Sequence, residues 1–190
     1  MRHLLAKHSD IISTNDQGNF RHHVRAKELK QTFHENHWDW DNYFKFTVVR
    51  NPISRLYSIY KYRIRLGGNP PSDYIKKYSM GFYLTCVKFT ELKISFNDAV
   101  LHDEIDIPTQ ASWILNSDKT SLLDNILKIE NINSQLPSVW SRLGLPLSDL
   151  ESIPDLNRSP SEVNWDSLLS EKAINKIKTK YHEDFNLLDY

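Results

Sequence analysis

The stretch FKFTVVRNPISRLYSIYKYR, residues 44–63, changes its side-chain period within two residues, and that change limits what the chain can fold into. FKFTVV gathers aromatic and β-branched residues into a short run, the composition of a buried strand over 44–49. Asn51 then offers an N-cap, and Pro52 sits at the first helical position, where its missing N–H costs nothing, so a helix starts there. At about 100° per residue, Ile53, Leu56, Tyr57, Tyr60 and Ile64 fall on one face, and Ser54, Ser58, Lys61 and Arg65 on another. A strand that feeds straight into such a helix belongs to an α/β fold with a mostly parallel sheet flanked by helices, whose ligands bind at the carboxyl ends of the strands. Arg50 stands at such an end, ahead of a helix N-terminus whose free N–H groups and dipole favour an anion. Ser58, with Ser54 on the turn between, adds hydroxyl donors. From position alone, a phosphate and a surface carboxylate fit Arg50 equally.

The remaining elements repeat the theme. Residues 1–20 read as an irregular lead-in ending in the turn formers STNDQGN, and VRAKELKQTFHE as a helix over 25–36. RLGGNPPSDY (65–74) breaks the helix with glycines and prolines, and SMGFYLTCVKF through SFNDAVLHD reads as short helices of a substrate-facing insert. DNILKIEN (124–131) is a second strand, followed by a helix over SQLPSVWSRLG that Gly144 terminates. LESIPDLNRSPSE is a loop. Ser170 caps a last helix with Ala173, Ile174, Ile177, Tyr181 and Phe185 along one face. We expect one domain over 1–190.

Composition narrows the function classes. The 24 basic and 24 acidic residues cancel, so no global field recruits nucleic acid or an acidic membrane, and an anion site must be built locally. Cys86 is the single cysteine, so no internal disulfide forms, and no apolar run approaches the roughly 18 residues of a membrane helix. MRHLLAKHSD lacks the apolar core of a signal peptide. A soluble, cytoplasmic protein is the expectation. His34 and His37 have a spacing that can bind metal, but no matching cluster accompanies them, so they read as helix-end surface residues and no metal is expected.

FTVVRNPISRLYSIY resembles the 3′-phosphate-binding segment of sulfotransferases that use 3′-phosphoadenosine 5′-phosphosulfate, the group that includes heparan sulfate 2-O-sulfotransferase, carbohydrate sulfotransferases and bacterial relatives. HHVRAKEL, IPTQASWI, LDNILKIENI, IPDLNRS and YHEDFNLLDY resemble further segments of that family in the same order, from about residue 20 to 190. The resemblance implies a P-loop-NTPase-like sulfotransferase fold and metal-free transfer of a sulfuryl group to a hydroxyl, on a carbohydrate. It implies that Arg50 and Ser58 grip the 3′-phosphate and that His23 is the general base, with His22 beside it should the register slip by one. It places Asn157, Arg158 and Ser159 in the lid over the nucleotide, with a plain surface-loop role for Arg158 as the alternative. Gln110 and Trp113 are candidates for the acceptor cleft, a core position being the alternative for Trp113. Glu130, at a strand end, reads as structural.

One departure stands out. Members of that family begin with a strand and a loop of the PKTGGTS kind, whose N–H groups and Lys cradle the 5′-phosphosulfate. That first strand and loop have no counterpart here; LAKHSD offers Lys7 and Ser9 without glycines. The expectation is a start other than Met1, or a truncated copy whose alternative function is nucleotide binding or protein interaction without catalysis. A phosphoryl-transfer P-loop enzyme would need G-x-x-x-x-G-K-[ST], which the sequence lacks.

Overall fold

A computed structural model describes residues 24–68, 80–152 and 163–190. In chain order the elements are α1 (Ala26–Glu35), β1 (Phe46–Val49), α2 (Pro52–Gly68), α3 (Met80–Glu91), α4 (Phe96–Leu101), α5 (Ala111–Ile114), β2 (Asn125–Lys128), α6 (Ile132–Arg142), α7 (Glu171–Lys180) and α8 (His182–Leu188). The chain divides into two compact units, Met1–Arg50 with Thr109–Asn157, and Asn51–Pro108 with Arg158–Tyr190.

The first unit holds the sheet. β1 and β2 pair in parallel, from Phe46 opposite Asn125 to Val49 opposite Lys128, so the expected α/β character and strand sense are present. Both strands are shorter than the sequence indicates. β1 begins at Phe46 because the backbone of Lys45 turns to the other strand's lead-in: its N–H donates to Asp124 Oδ2 at 2.7 Å, and its carbonyl accepts from the N–H groups of Asp124 and Asn125. β2 ends at Lys128, where Ile129–Asn131 winds into a 3-10 turn that runs directly into α6. The core here is Leu127, Leu136, Val139 and Trp140, with the partly buried Phe44, Phe46 and Val48 packed against them; a fully buried Leu or Val contributes about 1.5–3 kcal/mol. Gly144 ends α6 with φ of +67°, the left-handed conformation that favours glycine. Ala26, with Leu29 and Phe33, attaches α1 to Trp40 and Leu122.

The second unit is helical. Leu56 of α2 joins Phe89, Phe96, Ala99, Ile177 and Tyr181 in its core, and Ile53, Tyr57, Tyr60 and Ile64 pack around them, the apolar face that the spacing predicts. α2 and α3 approach closely at Gly67, where an added Cβ would collide with the Cys86 carbonyl and the Thr90 hydroxyl. The carboxyl-terminal segment is two helices, not one. Ser170 caps α7 by accepting from the Ala173 N–H, and the chain then breaks at Tyr181 (φ −108°, ψ 24°) before α8. The apolar spacing runs across that break, with Ala173, Ile177 and Tyr181 all buried, so periodicity alone does not reveal it. Among the described residues, no helix is long and apolar enough to cross a membrane.

Candidate functional site

Arg50 follows the last residue of β1, at the carboxyl end of a parallel strand, and is half-buried. Its backbone is fixed by a side chain from far along the chain. The Arg50 N–H donates to Gln110 Oε1 at 2.9 Å, and Gln110 Nε2 donates to the Arg50 carbonyl at 2.7 Å. Gln110 is buried, 8% exposed, and occupies the N-cap position of α5. Its carboxamide is therefore engaged at both ends by one backbone residue. A second glutamine finishes β2 in a similar way, since the Lys128 N–H donates to Gln135 Oε1 at 2.8 Å. Burial makes such backbone groups costly to leave unbonded, and in both places a side-chain amide meets groups on the strand edge that faces away from the ladder.

Asn51 opens the second unit as the cap that its type and place indicate. Its Oδ1 accepts from the N–H groups of Ile53 (3.0 Å) and Ser54 (3.2 Å), while the Arg55 N–H bonds to the Asn51 carbonyl. Pro52 has no N–H to give. The first turn of α2 thus has its donors already bonded, which corrects the expectation of free N–H groups awaiting an anion there. What α2 offers an anion is its dipole and the hydroxyls of Ser54 and Ser58, both half-buried and four residues apart on one helix face.

Arg55, the second arginine of the stretch, is tied within its own unit. Its Nη1 donates to the Pro108 carbonyl at 2.8 Å. Burial pushes its pKa down, and the charge of the fully buried Asp184 opposes that shift. These ties give Arg55 a structural role that sequence reading left open.

Trp113, on α5, is half-buried, and the Arg25 guanidinium lies over its ring, 5.6 Å from the centroid. Glu130 is exposed in the 3-10 turn after β2. His34 and His37 are exposed at the end of α1, and no group of three or more His, Cys, Asp or Glu among the described residues could hold a metal ion. His22 and His23 lie outside the described residues, as do Asn157, Arg158 and Ser159. The structure adds Gln110 as the residue that holds Arg50; 60 residues separate the two, and no local pattern in the sequence links them.

The sequence matches the Sulfotransferase family over residues 3–190, nearly its full length. No curated protein and no solved structure matches the chain. A match of that extent makes sulfuryl transfer the reaction class of the chain. The chain belongs to the sulfotransferase family.

Proposed function

We propose that the chain transfers a sulfuryl group from 3′-phosphoadenosine 5′-phosphosulfate to a hydroxyl of a carbohydrate, acting as one catalytic domain over 1–190. The observation that carries this reading is Arg50: a half-buried arginine at the carboxyl end of β1, on a backbone held at both polar groups, in a chain of the sulfotransferase family. A cation so placed fits a phosphate, because a charge-assisted hydrogen bond formed away from bulk water is stronger than a neutral one. Arg50 and the Ser58 hydroxyl hold the 3′-phosphate, with Ser54 beside Ser58 on the same helix face. Asn157, Arg158 and Ser159 close over the nucleotide.

The donor supplies an activated sulfuryl group. During transfer, the bond from sulfur to the phosphate oxygen breaks, a bond from sulfur to the acceptor oxygen forms, and the acceptor proton leaves to a base. His23, or His22 next to it, is that base, since an imidazole titrates in the range the task needs. Trp113 stands on the acceptor side, where an indole suits the apolar face of a sugar; the amide of Gln110 is committed to Arg50. A cytoplasmic setting agrees with a single, buried cysteine, Cys86, whose thiol pKa is pushed up by burial.

The test is acceptor-dependent release of adenosine 3′,5′-bisphosphate from the donor, followed chromatographically across a panel of carbohydrate hydroxyl acceptors. Release with at least one acceptor is expected. Nucleotide binding without release on any acceptor would point instead to a binding or interaction module.

A further inference from the structure

β1 bonds β2 through alternate residues beginning with the Lys45 carbonyl, so the peptide groups of Arg50 face the opposite edge of β1, where no strand pairs among the described residues. Val49 opposite Lys128 is the last pair, and β2 then leaves the sheet in the 3-10 turn Ile129–Asn131. The next residue along β1 is Arg50. Its N–H and carbonyl are both met by the Gln110 carboxamide, at 2.9 and 2.7 Å. A primary amide carries a donor and an acceptor side by side, so one side chain closes a two-bond ring on one residue, as a neighbouring strand would have done with two peptide groups. Two hydrogen bonds to one backbone residue fix its φ and ψ together. They fix with them the direction in which its Cα–Cβ bond leaves the chain.

We infer that Gln110 is a positioning residue for the donor site: its carboxamide fixes the backbone from which the Arg50 guanidinium departs, and so sets that guanidinium's aim at the 3′-phosphate. The inference rests on the reading that Arg50 binds that phosphate. The competing role is plain backbone satisfaction in a buried place. That role predicts a loss of stability, and an equal weakening of every nucleotide. A positioning role weakens selectively those nucleotides that carry a 3′-phosphate.

Calorimetric titration with adenosine 3′,5′-bisphosphate and with adenosine 5′-monophosphate gives the monophosphate's dissociation constant divided by the bisphosphate's, a ratio that measures the 3′-phosphate's share. Gln110→Met keeps the length of the side chain and removes both polar ends. Gln110→Glu keeps the acceptor for the Arg50 N–H but sets a carboxylate oxygen against the Arg50 carbonyl, and it serves where the methionine variant does not fold. Either variant should lower the ratio about fivefold or more, the scale of a lost or reversed hydrogen bond, while the monophosphate constant moves less than about twofold. Arg50→Ala fixes the lower limit of the ratio. A wild-type ratio retained in both Gln110 variants, with Arg50→Ala lowering it, overturns the positioning role and leaves the donor reading standing. No effect of Arg50→Ala on the ratio, or no 3′-phosphate preference in the wild type, overturns the donor reading and the inference together.

Discussion

The carboxamide oxygen of Asn51 lies 3.2 Å from the backbone N–H of Ser54, and with its bond to Ile53 it caps the helix that carries both candidate hydroxyls. Removing an N-cap oxygen costs about 0.5–2 kcal/mol. Asn51→Ala should lower stability by about that amount in denaturant titration, whereas Asn51→Asp, which keeps the acceptor and adds charge favourable to the helix dipole, should hold or raise it. An alanine variant as stable as the wild type would mean that the cap contributes nothing.

Gly67 sits where α2 and α3 come closest. The Thr90 hydroxyl donates to the Ile64 carbonyl at 3.1 Å, with the Cys86 carbonyl a second acceptor at 3.3 Å, so neither obstacle to a Cβ at 67 can swing aside freely. Replacing glycine by alanine in an open helix gains roughly 0.5–1 kcal/mol. Here the clash dominates, and Gly67→Ala should lower stability by about 1–3 kcal/mol. Gly81→Ala is the control, because a Cβ there meets nothing within 4 Å, and it should be neutral or stabilising. Equal effects at the two sites would contradict the close helix approach.

Hydrogen bonds from Lys176 and Lys180, at 2.7 and 3.0 Å, hold the Asp103 carboxyl below its ordinary 3.8. In the unfolded chain those partners are lost and the group titrates near 3.9. A carboxyl with a depressed folded pKa stabilises fully above the unfolded value, and the contribution disappears as pH falls through the folded one. Asp103→Asn should therefore lower Tm at neutral pH, with the gap to wild type closing as the pH falls below the ordinary carboxyl range. Exposure to solvent keeps the effect small. A gap independent of pH would contradict the ion pairs.

If His23 takes the acceptor proton, His23→Ala should lower kcat about 10²–10⁴-fold and leave nucleotide affinity nearly unchanged. The same loss in His22→Ala, with His23→Ala active, would move the role back by one residue.

Local signals made the strand-to-helix junction legible. Asn51 and Pro52 mark a helix start by their own chemistry, and the apolar spacing from Ile53 to Ile64 names the face that packs. The strand limits were harder to read. The Asp124 carboxylate takes the Lys45 N–H ahead of the paired residues, and the 3-10 turn after Lys128 keeps the apolar Ile129 within what reads as a strand. The break at Tyr181 is hidden because the buried face continues through it. The clamp of Gln110 on Arg50 joins residues 60 apart, and no periodicity reports a contact at that range. The expectation of free N–H groups at α2 failed for a local reason: the same Asn51 that announces the helix also consumes those donors.

The most direct test of the account is calorimetric titration of the wild-type chain and of Arg50→Ala with adenosine 3′,5′-bisphosphate, with adenosine 5′-monophosphate as the control. The account predicts binding by the wild type that depends on the 3′-phosphate, and a loss of about tenfold or more in Arg50→Ala, the scale of one charge-assisted hydrogen bond. Equal affinity of the two nucleotides for the wild type, or an unchanged constant in Arg50→Ala, would contradict it.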